Sequence, residues 1–196
     1  MRVAEFCNEL NTLYGRGLMK KTAASIILVL VLIFILLVGC TDKDEFKTNL
    51  QKIIVPDMSV SILEADEETQ LSWLKDISRF QDETLRSKTS NLSDKDIQTV
   101  KDHLSQVYGP ELVQIHVEDI YKYDEGTRTY YVPDGDWSMY SLDEWSSSEI
   151  SLTSRSEQSA TFLLSGIDFA GDEQKYQLDF SISNGKLLLE KRTYLR

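Results

Sequence analysis

The sequence predicts an α+β domain in which N-terminal helices pack on a C-terminal antiparallel sheet. Before Pro110, apolar residues recur at helical spacing behind capping residues. After Pro110 they alternate with a period of two, and Asn184-Gly185 joins two such runs as a hairpin turn would.

Taken in order, Phe46, Leu50, Ile53 and Ile54 recur at helical spacing, and Pro56 ends the pattern. Met58 to Leu63 fits either a short strand or a turn of helix, and periodicity does not choose between them. A second helix opens at Asp66, whose carboxylate can accept from the free N–H groups of the first turn. Glu67 and Glu68 suit the positive end of its dipole, and Arg86 and Lys88 the negative end. Leu71, Leu74, Ile77, Phe80 and Leu85 form its buried stripe, with Trp73 on the flank. A third helix opens at Ser93 with Asp96 three residues on, a capping-box arrangement. Ile97, Val100, Leu104 and Val107 make its apolar face, and Gly109-Pro110 is read as its end.

From there Val113, Ile115 and Val117 alternate with polar residues, so Leu112 to Tyr123 is predicted as a strand. Asp124-Glu125-Gly126 turns the chain and Thr127 to Val132 answers as a second strand. Residues 133–149 are predicted irregular, and Thr161 to Phe169 a further strand. In the last pair, Tyr176, Leu178, Phe180 and Ile182 alternate ahead of a type I′ turn at Asn184-Gly185. A regular ladder from that turn pairs Ile182 with Leu187 and Phe180 with Leu189 on an apolar face. It also pairs Gln177 with Arg192 and Lys175 with Tyr194 on the polar one. Helices followed by a meander resemble the order of cystatin-like and NTF2-like domains, which recur in bacterial lipoproteins. The resemblance is architectural and implies no chemistry.

The beginning of the chain gives an address. Every residue from Ile26 to Val38 is apolar, a run of the length of a secretory h-region and shorter than the ~20 residues of a spanning helix. Met19-Lys20-Lys21 precedes it as a basic n-region, and Leu37-Val38-Gly39-Cys40 follows it. These residues resemble a bacterial lipoprotein precursor, with Leu37 to Cys40 matching the lipobox. The resemblance implies cleavage before Cys40 and a diacylglyceryl or acyl lipid on its thiol, at the extracytoplasmic face of a bacterial cell membrane. An uncleaved single-pass anchor, lengthened by Thr22 to Ser25 and Gly39, is the alternative. Residues 1–18 carry Glu5 and Glu9, which do not suit an n-region, so translation is expected to begin at Met19. The expected organisation is a doubtful extension at 1–18, a signal peptide at 19–39, a lipidated tether at 40–45 and one α+β domain at 46–196.

The chain has 196 residues, 21 Lys+Arg, 32 Asp+Glu and a net charge of −11. The leader holds four bases and two acids, so cleavage leaves 17 basic and 30 acidic residues, a net of −13. That balance excludes nucleic acid as a partner, because phosphate binding needs clustered Lys and Arg. It also opposes an anionic bilayer, so the lipid must hold the protein there. The two cysteines are Cys7 and Cys40; the mature domain has no disulfide, thiol nucleophile or thiolate metal site. Export without disulfides favours a Gram-positive surface.

Chemical motifs are sparse. His103 and His116 lack partners at ligand spacing, so neither predicts a metal site, and His116 is expected to point outward between Ile115 and Val117. Ser72 to Lys75 matches Ser-x-x-Lys by letters only, and there is no G-x-S-x-G or phosphate-binding glycine motif. No catalytic residue, metal or cofactor beyond the lipid is assigned.

The informative segment is Tyr130 to Glu149, where aromatic residues stand among five carboxylates. Tyr131, Trp137, Tyr140 and Trp145 are the candidate binding residues, since rings on a loop give a large contact area at low entropic cost. The same rings could instead cover the open end of the sheet. The function expected is a non-enzymatic envelope-binding lipoprotein whose partner is an envelope protein, a secretion or conjugation component, or a glycan. The alternative is a cell-wall glycan enzyme using acids among Asp134, Asp136, Asp143 and Glu144. A two-lobed solute-binding body needs more chain than is present.

Overall fold

Side-chain caps set where the helices begin. In the computed structural model, which describes residues 45–134 and 141–195, Asp66 accepts from the Thr69 N–H at 2.8 Å and opens α1 (Glu67–Arg86). Ser93 and Asp96 close a reciprocal capping box that opens α2 (Asp94–Leu104). Asp96 also holds Lys88 Nζ at 3.0 Å. The chain divides into two compact units, Met1–Glu45 and Phe46–Arg196, and every element named here belongs to the second. The apolar run and Cys40 lie outside the described residues. Among those described, no helix is long and apolar enough to cross a membrane.

The domain is α+β, with helices in its N-terminal half and a four-stranded antiparallel sheet after them. Residues 45–50 are helical and bury Phe46 and Leu50, but the helix stops there and Ile54 is 84% exposed. The ambiguous stretch after Pro56 is a short 3-10 helix, Val60–Glu64. Just before it, Ser59 bridges Lys186, and the Leu187 N–H donates to the Met58 carbonyl at 2.7 Å.

The predicted strand from Leu112 to Tyr123 is a helix up to Ile120. Pro110 does not end the third helical pattern; it opens a new helix, α3 (Pro110–Ile120), with Gly109 as its N-cap. Proline suits the first helical position because the N–H it lacks would have no intrahelical partner there. The buried residues are Leu112, Val113, His116 and Val117, a helical stripe, while Ile115 is 42% exposed. His116 therefore faces inward, opposite to the strand-based expectation. The short hairpin that follows, β1 (Lys122–Asp124) and β2 (Thr129–Tyr131), forms a separate two-stranded sheet.

The main sheet is a meander in the order β3 (Ser147–Arg155), β4 (Ser159–Ile167), β5 (Glu173–Ser183), β6 (Lys186–Tyr194). β3 begins inside the segment predicted irregular; its serines and threonines supply the outer positions, while Ile150 is buried and Leu152 half-buried. Asn184 and Gly185 take the positive φ values, 52° and 74°, that a tight hairpin demands. One face of the sheet, carrying Ile150, Phe162, Leu164, Leu178, Phe180, Leu187 and Leu189, joins the helices in a common core. Trp73 belongs to that core rather than its flank. It is 6% exposed, packs on Phe180 and Phe162, and its Nε1–H donates to the Asp57 carbonyl.

The β5–β6 register corrects the regular ladder. Ile182 pairs with Leu187 and Phe180 with Leu189 as expected, but a bulge follows and Asp179 pairs with Lys191, leaving Glu190 as the extra residue. Beyond it Leu178 pairs with Arg192, Gln177 with Thr193 and Tyr176 with Tyr194. A one-residue slip moves side chains to the opposite face. Arg192 and Tyr194, placed on the polar face by the regular ladder, thus lie on the face that carries Leu178 and Tyr176.

Candidate functional site

The bulge matters because that face borders a cleft between α1, α3 and the sheet. The cleft encloses about 560 Å³ counting its open mouth. Its walls are apolar: Leu74 and Ile77 from α1, Leu112 from α3, and Leu164, Leu178 and Leu189 from the sheet. The inner end is polar but buried, formed by Gln81, Tyr108 and His116, each no more than 8% exposed. Half-buried Trp145, Tyr176 and Arg192 form the outer rim. The Trp145 and Tyr176 rings are 6.3 Å apart, Tyr194 lies 5.3 Å from Tyr176, and the Arg192 guanidinium sits 5.8 Å over the Tyr176 ring.

Each polar group of the inner end is positioned by a helix. The Tyr108 hydroxyl lies 3.2 Å from the Ile77 carbonyl and 3.1 Å from Gln81 Oε1. That leaves the Gln81 Nε2 donor facing His116 Nδ1 at 3.5 Å. Which of the two groups donates in that contact follows from the imidazole tautomer. Tyr108 meets the His116 ring edge-on at 4.9 Å. His116 Nε2 is buried and without a partner among the described residues. Burial, with the Arg192 charge adding to it, pushes the His116 pKa down to about 3, and burial raises that of Tyr108. At neutral pH the inner end is therefore uncharged, and Arg192 is the one charged side chain among the described residues lining the cleft.

Trp145 is placed by Gly166. A Cβ at position 166 would fall 2.2 Å from the Ser147 carbonyl and 2.8 Å from the Trp145 ring, so only glycine admits this approach. The ring thereby closes over the end of β4 beside Tyr176.

The sequence-predicted site is only partly assembled here. Trp145 stands on the cleft rim. Tyr131 is 41% exposed on the small sheet and does not line the cleft. Trp137 and Tyr140 lie outside the described residues, as does Asp136. Of the candidate acids, Asp143 is held by Arg79 at 2.9 Å, while Asp134 and Glu144 are exposed. His103 is half-buried against Phe80, with Gln106 Nε2 3.1 Å from its Nδ1. The described residues contain no cluster of His, Cys, Asp and Glu suited to a metal ion.

Sequence reasoning missed Gln81, Tyr108, His116, Tyr176 and Arg192. Reading Pro110 as a helix start would have turned His116 inward with Leu112 and Val113; no sequence signal marks the bulge that turns Arg192. No protein-family model and no curated protein sequence matches the chain.

Proposed function

We propose that this chain is a lipid-anchored, extracytoplasmic lipoprotein whose α+β unit is a non-enzymatic binding module. The observation that carries the binding reading is Trp145: it forms, with Tyr176, an aromatic rim over an apolar cleft. Ligand sites are commonly concave, apolar and furnished with a few placed polar groups, and this cleft has that composition. The anchoring reading rests on Leu37 to Cys40 and the apolar run before it. Residues 41–45 tether the lipidated cysteine to a unit that begins at Phe46.

The partner sought is an envelope protein or glycan. The module reading is tested by measuring binding of the purified unit to fractionated envelope proteins and cell-wall glycan, beside Trp145→Ala. The half-buried ring is expected to cost less on truncation than the 3–5 kcal/mol typical of a fully buried Trp, so the variant stays folded and loses binding. Equal binding by folded Trp145→Ala argues against the cleft. Clearing of cell-wall material in a zymogram overturns the non-enzymatic reading.

A further inference from the structure

We infer that the cleft binds a small neutral molecule with an apolar body and one terminal hydroxyl, the hydroxyl meeting His116 Nε2 at the inner end. The inference rests on the binding role proposed for this cleft and names the small-molecule class that it takes.

The inner end holds an unmet hydrogen-bonding group. His116 is 4% exposed, and its Nε2 is buried without a partner among the described residues. The other side of the ring is occupied: Gln81 Nε2 faces Nδ1 at 3.5 Å, and Tyr108 meets the ring edge-on. A buried polar atom without a partner keeps the full cost of its lost hydration. Because His116 lines the cleft, a ligand entering there can supply the missing group.

The chemistry of the imidazole narrows what that group is. In one tautomer Nε2 offers an N–H, and in the other a lone pair. A hydroxyl serves both, since it donates and accepts through a single atom. A carboxylate, ketone or ether serves only the first, and an ammonium only the second. The neighbouring polar side chains, Gln81 and Tyr108, are neutral, and burial keeps His116 neutral as well. An ion carried to this end exchanges its hydration for uncharged side chains, whereas a hydroxyl loses far less. Arg192 stays over the Tyr176 ring as part of the rim, and the ligand makes no demand on it.

The walls set the rest of the molecule. Leu74, Ile77, Leu164 and Leu178 present apolar side chains along the cleft, so the body that displaces water from them is apolar too. The volume of about 560 Å³ lies within the range of about 300–1,000 Å³ usual for small-molecule sites. The Trp145 and Tyr176 rings, 6.3 Å apart, receive the outer end of the body.

The test uses the isotopically labelled unit Phe46–Arg196, which contains the whole core. It is titrated by NMR with 1-hexanol, with its isomer methyl pentyl ether, and with sodium hexanoate. Saturable shifts of the His116 imidazole nitrogen and Trp145 indole signals are expected with 1-hexanol. The ether and hexanoate should each bind about ten-fold more weakly. In His116→Phe the preference for hexanol over the ether should disappear, and the comparison in the parent protein stands whether or not that variant folds. Equal affinity for hexanol and the ether overturns the hydroxyl assignment, as does a preference retained in folded His116→Phe. Hexanoate binding as tightly as hexanol overturns the neutral class. Absence of saturable shifts with every compound means that ordered water alone meets Nε2, and overturns the inference outright. Envelope binding by the parent and Trp145→Ala is scored separately, so a failed titration leaves the module reading standing.

Discussion

His116 joins two properties of this protein at one residue. The imidazole titrates near 6.5 when exposed and near 3 when folded, because burial and the Arg192 charge both oppose its cation. Between those values the unfolded chain binds the extra proton, so stability is whole above about pH 6.5 and falls as the pH drops. The slope from this group approaches about 1.4 kcal/mol per pH unit. His103, lowered by burial, adds to the loss in the same direction, and Asp96, also lowered, adds a further loss at lower pH. Denaturant unfolding between pH 6.5 and 4 should therefore show a shallower pH slope in His116→Gln than in the parent protein. Equal slopes would mean that His116 is not buried as a neutral ring. Gly166 is the other residue whose role is individually testable. A methyl group at 166 collides with the Ser147 carbonyl and the Trp145 ring, so Gly166→Ala should cost roughly 1–3 kcal/mol and shift the Trp145 indole resonance. A silent substitution would mean that Trp145 does not rest on Gly166.

At the scale of elements, α3 and the β5–β6 bulge are where the structure departs from periodicity. Val113, Ile115 and Val117 satisfy a strand pattern, and Leu112, Val113, His116 and Val117 satisfy a helical one; eleven residues are too few for the pattern alone to choose. Proline at the first helical position and the buried, paired neighbourhood of Tyr108 decide for the helix. Ile115 discriminates between the two. As a solvent-facing helical residue it should tolerate Ile115→Lys within about 0.5 kcal/mol, whereas an inward strand residue would not. A large drop in melting temperature would restore the strand. The bulge can be read directly by NMR: cross-strand proximities should link Leu178 with Arg192 and Tyr176 with Tyr194. Proximities linking Gln177 with Arg192 instead would put the guanidinium on the outer face and remove it from the cleft.

Capping chemistry and hairpin chemistry were legible because each is local. Asp66, Ser93 with Asp96, and Asn184-Gly185 act through backbone groups a few residues away, so the letters alone carry the information. The site was not legible, because it is built from residues distant in the sequence. Gln81, Tyr108, His116 and Arg192 meet only after α3 forms and β6 slips by one residue. The aromatic character of Trp145 marks it in the sequence, and its place on the rim follows from contact with Gly166 and Tyr176.

For the whole molecule, the proposed function is that of a binding unit held at a membrane by a lipid outside it. The unit from Phe46 has its own core, from Phe46 and Leu50 through the helices to Leu189 on β6. Its acidic charge favours neither nucleic acid nor an anionic bilayer. The proposed attachment through Cys40 is what would give this domain its address. The most direct measurement is the intact mass of the membrane-retained protein from a bacterial host, beside Cys40→Ser. A chain that begins at Cys40 and carries the added mass of a diacylglyceryl group is expected, with Cys40→Ser lacking that mass and lost from the normal processing route. A membrane-retained chain that still includes residues 19–39 and has the same unmodified mass apart from the substitution in Cys40→Ser would contradict it, and would make the apolar run a spanning anchor.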